Sequence, residues 1–205
     1  MVSASEITAL RPGLFVWEAY DATVKADLSS SAAATNAGLL IVDPISLADD
    51  ALDELTANRT FVGVILTNSN HVRASGAFAA RFSIPIFAHE RAHTTSDLPD
   101  VQPVDAFARG AEGVQVIRVD GAAPGEIALH IDADGGSLIV GDALINFGPS
   151  GFDLLPAKYR QGAGNLRDSL RQLLELPFQR ILFAHGAPIV TQARLRLENL
   201  LSSGS

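Results

Sequence analysis

Ile65-Leu66-Thr67-Asn68-Ser69-Asn70-His71-Val72-Arg73-Ala74-Ser75-Gly76 is the stretch around which the rest of the chain falls into order. The apolar, β-branched run Phe61 to Leu66 ends in this polar cluster, and an alanine-rich segment, Ala74 to Phe82, follows at once. That succession predicts a buried strand, a loop and a helix. Polar groups at the carboxyl end of a buried strand lie where α/β layers place their sites.

Upstream, Leu14 to Tyr20 predicts a strand, Asp21 to Thr35 a polar loop rich in Ser and Ala, and Ala37 to Val42 a strand buried on both faces that stops at Asp43-Pro44. Ser46 is placed to cap a helix over Leu47 to Ala57, with Asp49 and Asp50 near its positive end. Downstream, Ile84 to His89 reads as a short strand and Glu90 to Gly113 as an irregular connection. Val114 to Val119 is a further strand. Glu126 to Ile131 and Ser137 to Val140 form a hairpin around Asp134-Gly135-Gly136. Asn146 to Arg160 is a loop. Asn165 caps a helix with Leu166, Leu170, Leu173 and Leu174 on one face, and Pro177 stops it. Arg180 to Ala184 is the last strand, and Ile189 to Leu201 the last helix. The pattern predicts one domain over residues 1–205, an α/β (α+β) fold with two mixed sheets sandwiched between helices.

The 205 residues suffice for a sizeable core, and 47% are hydrophobic. A formal net charge of −8 without any basic run argues against a nucleic-acid partner. With no cysteine, thiolate ligands and disulfides are excluded. No stretch reaches the roughly 18 apolar residues of a membrane span, and the start of the chain has no signal-peptide pattern. The expectation is a soluble, cytoplasmic protein without a membrane partner. The composition leaves its oligomeric state open.

Five landmarks, taken in order, resemble the metallo-β-lactamase superfamily. They are the strand ending at Asp43, the loop Thr67 to Gly76 in place of H-x-H-x-D-H, Gly121-Ala122-Ala123-Pro124-Gly125-Glu126 in place of the G-H-T-P-G turn, Val140-Gly141-Asp142, and His185-Gly186-Ala187-Pro188 in place of G-H-G-x-P. The resemblance implies an αββα four-layer sandwich related to hydrolases. It also implies a degenerate two-metal centre. Asn68, Asn70, Val72, Arg73 and Ala122 occupy five ligand positions, while Asp142 and His185 retain the bridging carboxylate and the final histidine.

Zinc needs about four ligands, or three plus water. Amide oxygens suit harder cations. A fixed positive charge about 4 Å from a dication costs on the order of 8 kcal/mol at an effective dielectric near 20. These arguments lead to the expectation of no metal cofactor and of an Arg73–Asp142 ion pair in its place. The reading is a pseudoenzyme whose pocket, lined by Asn68, Asn70, Arg73, Asp142 and His185, binds a small anionic molecule. Two alternatives stand beside it. One is an active hydrolase with a single zinc or other divalent ion on Asp142, His185 and either His71 or an asparagine. The other is an inert structural or oligomerising protein. His71 lies on a non-ligand position of the loop, and backbone hydrogen bonding is its expected role. Asp142, His185 and His71 are the catalytic candidates. His89, His93 and His130 are expected at the surface, and Lys158 and Tyr159 over the pocket.

Overall fold

In the computed structural model of the chain, residues 2–92, 98, 100–147, 151–161 and 164–203 are described. Their frame is two sheets. The larger runs Thr8–Arg11, Leu14–Asp21, Ala26–Thr35, Gly38–Val42, Phe61–Leu66, Ile86–Ala88, Val101–Pro103. It is antiparallel through its first four strands and parallel through the rest. The smaller sheet runs Val114–Arg118, Ile127–Ile131, Ser137–Val140, Arg180–Phe183, and its last two strands are parallel.

The sheets face each other across Leu40, Val42 and Ile65 on one side and Ile127, Leu129, Ile139 and Leu182 on the other. Each such side chain contributes about 1.5–3 kcal/mol of burial. Helices Asp49–Thr56 and Ser75–Phe82 cover the outer face of the large sheet through Leu52, Leu55 and Phe78. Helices Leu166–Arg171 and Ala193–Ser202 cover the small sheet through Leu166, Leu170 and Leu197. The αββα order is therefore as the sequence predicts.

Several local expectations are corrected. Much of Asp21 to Thr35 is not loop: Ala26–Thr35 is a ten-residue strand paired on both sides. Its serines and alanines are weak strand formers, and their neighbours hold them. The Ser30 hydroxyl donates to the Asp43 carbonyl (2.7 Å) and accepts from the Ile45 N–H (2.8 Å). Ser46 does not cap a helix. Ser46–Leu47 pairs with Ser3–Ala4, and the helix starts at Asp49 without a side-chain cap. The connection after His89 contains helix Val104–Ala108. His89 and His130 are buried, not at the surface. His130 sits on a strand whose two faces are both covered, and its Nε2 lies 2.7 Å from the Pro177 carbonyl. His93 lies outside the described residues.

Candidate functional site

Parallel pairing of Val42 with Ile65 and of Val140 with Phe183 brings four strand ends to one edge of the sandwich. Asp43, Thr67, Asp142 and His185 all lie at or just beyond those ends. The two sheets approach closely there. A Cβ on Gly141 would come within 2.5 Å of Thr67 Oγ1 and 2.7 Å of Glu126 Oε1, so the position admits only glycine.

His71 is the centre of the cluster, which the loop motif did not indicate. Only 2% exposed, it turns its ring between two carboxylates. Nδ1 lies 2.9 Å from Asp43 Oδ2 and 2.8 Å from Thr67 Oγ1. Nε2 lies 3.2 Å from Asp142 Oδ1 but has no hydrogen-bond partner. Its bonds are therefore to side chains, contrary to the backbone role expected of it. Asp43, also 2% exposed, orients the loop as well, accepting from the Thr67 N–H at 2.8 Å. His185 presents its Nε2 to the same Asp142 oxygen at 3.3 Å, while its Nδ1 lies 3.1 Å from the Asp27 carbonyl. Asn70 Nδ2 donates to the other oxygen, Asp142 Oδ2, at 3.0 Å.

The expected Arg73–Asp142 pair is not formed among the described ion pairs. Arg73 takes a left-handed backbone (φ 41°) and points its guanidinium at three carbonyls, those of Ser29 (2.7 Å), Asp43 (3.0 Å) and Ala184 (3.1 Å). Two of these carbonyls also accept other bonds, Ala184 from the Ser29 N–H and Asp43 from the Ser30 hydroxyl, and the planar fork takes up the remaining acceptor capacity. The arginine thereby ties both sheets together. The two asparagines are also engaged. Asn68 Nδ2 donates to Glu126 Oε2 at 2.7 Å, and Asn68 Oδ1 accepts from the Asn70 N–H at 2.8 Å. Glu126, 3% exposed, also accepts from the Ala143 N–H at 3.0 Å. Sequence reasoning missed Glu126, whose only signal was a charged residue opening a strand of otherwise apolar character. Lys158 packs over the exposed Tyr159 ring, and no described contact brings either to the cluster.

The electrostatics follow from burial and neighbours. Burial and the Arg73 charge oppose protonation of His71, but the Asp43 and Asp142 carboxylates outweigh them and raise it to about 9. Burial works against ionisation of Asp43 and Asp142; His71 overcomes it and holds both below the usual carboxylate range. Burial, then the Asp142 charge, pushes Glu126 up to about 8. His185 is lowered, chiefly by burial.

Among the described residues, His71, Asp142 and His185 can each direct one ligand atom to a common point, all within 4.8 Å of one another. Bonds of about 2.0–2.1 Å in a tetrahedral zinc site place neighbouring ligand atoms roughly 3.3 Å apart; each Nε2 lies at that separation from the Asp142 oxygen, 3.2 and 3.3 Å. Each imidazole has its other nitrogen against an oxygen acceptor, the arrangement that fixes a metal-ligating tautomer. The donor set and the partnerless Nε2 of His71 therefore fit a single divalent ion.

A sequence profile described as the Metallo-beta-lactamase superfamily matches residues 7–203. No curated protein matches the chain by sequence. Among solved structures, a metallo-beta-lactamase from Pontibacter korlensis superimposes with a TM-score of 0.70 at 16% identity, covering 97% of this chain and 99% of its own. The DIM-1 metallo-beta-lactamase gives 0.68 at 13% identity over 98% and 100%. The archaeal superfamily protein ST1585 from Sulfolobus tokodaii gives 0.66 at 15% identity over 93% and 85%. These likenesses concern the fold.

Proposed function

Because the chain belongs to the metallo-β-lactamase superfamily, we propose that it is a hydrolase-type protein with one divalent metal held by His71, Asp142 and His185, in place of a two-metal centre. The observation that carries this reading is the convergence of two Nε2 atoms on one carboxylate oxygen, with the His71 Nε2 buried and without a hydrogen bond. Two imidazoles and a carboxylate leave room for water in the coordination sphere, as catalytic sites require. A zinc or similar ion bound there would acidify that water and polarise a carbonyl or phosphoryl group.

The chain's own residues have distinct tasks. Asp43 holds Nδ1 of His71 and so aims Nε2 at the site; the Asp27 carbonyl does the same for His185. Asn70 restrains one Asp142 oxygen and leaves the other to face both imidazoles. A dication and Arg73 would be met by Asp43 and Asp142, and by Glu126 where its carboxyl is ionised. The small-anion reading has less support, because the donors it required on Arg73, Asn68 and Asn70 are engaged within the protein.

A second reading rests on His71 lying between two carboxylates with its proton affinity raised. Here the imidazolium itself supplies the positive charge, and no metal is needed. Metal analysis of protein purified without chelator separates the two. One equivalent of a transition metal is expected, lost in His71→Ala and His185→Ala and retained in Asn70→Ala. Metal-free wild type that takes up no zinc on titration, with an unchanged melting temperature, would leave the imidazolium reading standing.

A further inference from the structure

Arg180 opens the strand Arg180–Phe183, five residues and so roughly 17 Å from His185, toward the opposite edge of the sandwich. It is only 2% exposed, unusual for an arginine. Its Nη2 donates to the Asp134 carbonyl, whereas Nε and Nη1 are buried without a hydrogen-bond partner. A buried charged donor left unmatched is strongly destabilising, so native proteins supply a partner for it. Arg180 lines a small cavity of about 40 Å³ with Arg11, Gly13, Asp134 and Ser137. That is more than one water requires. Arg11 stands at its solvent side, 3.7 Å from Asp134 Oδ2, as a half-exposed pair. The Asp134 carboxylate is thus paired with Arg11, while Arg180 reaches only the Asp134 carbonyl, and the Arg11 charge opposes that on Arg180.

We propose that this cavity is a binding site for a small inorganic anion, held by Nε and Nη1 of Arg180 with Arg11 at its mouth. The anion supplies an acceptor for the unmatched donors, and a monovalent one brings the charge of Arg11, Arg180 and Asp134 to zero. Guanidinium groups suit halide and oxyanion ligands alike, and cavity size favours the smaller. The site is independent of the histidine cluster and needs no metal there.

Thermal melts of the full chain in chloride, phosphate and gluconate at one ionic strength test it. Chloride or phosphate is expected to raise the melting temperature saturably by about 2–4 °C over the bulky gluconate, and the more effective of the two identifies the anion. The rise is expected to vanish in Arg180→Gln and to shrink at least threefold in Arg11→Gln, whose exposed position leaves folding intact. His71→Ala is expected to keep it. Bromide-soaked crystals are expected to show an anomalous peak within hydrogen-bonding distance of Arg180. Equal melts in all three salts, an undiminished rise in Arg11→Gln, or water alone in the cavity would overturn the proposal.

Discussion

The two halves of the polar edge satisfy their buried polar groups differently. In the half around Asn68 and Asn70, amides close on one another, on Glu126 and on Asp142, and each side-chain amide nitrogen has an acceptor. In the half around His71, Asp142 and His185, two imidazoles share one carboxylate oxygen, and one ring nitrogen has no hydrogen bond. An amide carries both a donor and an acceptor, so a pair of them can satisfy each other. An imidazole nitrogen facing a carboxylate is satisfied only when it carries a proton or binds a metal ion. The first half is a hydrogen-bond network among amides and carboxylates, and the second is a cluster of two imidazoles on one carboxylate that could hold a metal ion.

The largest effect expected to sharpen this contrast comes from Asp43. Asp43→Ala removes the acceptor of His71 Nδ1 and Thr67 from a buried position. It is expected to cost about 3–5 kcal/mol in guanidinium denaturation and to weaken metal binding by 10–100-fold in competition titrations. A loss under about 1 kcal/mol would show that His71 is held by packing alone.

The pH dependence comes next, and its sign differs between the two readings. Without metal, the folded value of about 9 for His71 exceeds the unfolded value near 6.5. The stabilisation is complete below pH 6.5 and is lost as pH rises through 9, a fall on the order of 3 kcal/mol. Glu126 acts in the same direction: its folded value of about 8 exceeds the unfolded 4.5, so stability falls as pH rises from 4.5 to 8, and Glu126→Gln is expected to flatten that part. Asp43 and Asp142 are lowered, so their contribution is present above the unfolded value near 3.8 and is lost in stronger acid. With metal bound, stability is expected to hold or rise toward pH 8, because the ligands must be deprotonated. Denaturation curves at pH 6 and 9, with and without chelator, check both directions.

Double-mutant cycles give a smaller but cleaner measure. His71→Gln with Asp142→Asn is expected to show coupling of about 1–3 kcal/mol. Arg73→Met with Asp142→Asn is expected to show under about 1 kcal/mol, because Arg73 bonds carbonyls and not that carboxylate. Equal couplings would restore the ion-pair exchange that the sequence suggested. The smallest effect belongs to Asn70→Ala. Losing one part-buried hydrogen bond to Asp142 is expected to cost about 0.5–1.5 kcal/mol and to leave metal stoichiometry unchanged.

The apolar runs Phe61 to Leu66 and Ser137 to Val140, each ending in polar residues, were enough to place the strands and the edge at which their ends meet. Hydrophobic period is local, so a sequence determines it directly. The positions of Asp142 and His185 at that edge were legible for the same reason: each follows a strand end whose position the pattern sets. The strand Ala26–Thr35 was not legible, because serine and alanine signal a strand only when neighbours pair with them on both sides. Side-chain direction was out of reach too. Nothing in the order Asn70-His71-Val72-Arg73 says that His71 turns inward between Asp43 and Asp142 while Arg73 turns to three carbonyls. That choice depends on which buried acceptors lie within a few ångströms, and those acceptors come from residues 29, 43, 142 and 184. The sequence by itself determined the sandwich and its polar edge. Only the tertiary structure decided which cationic side chain faces the carboxylate there, because burial makes each charge answer to its nearest partner in space.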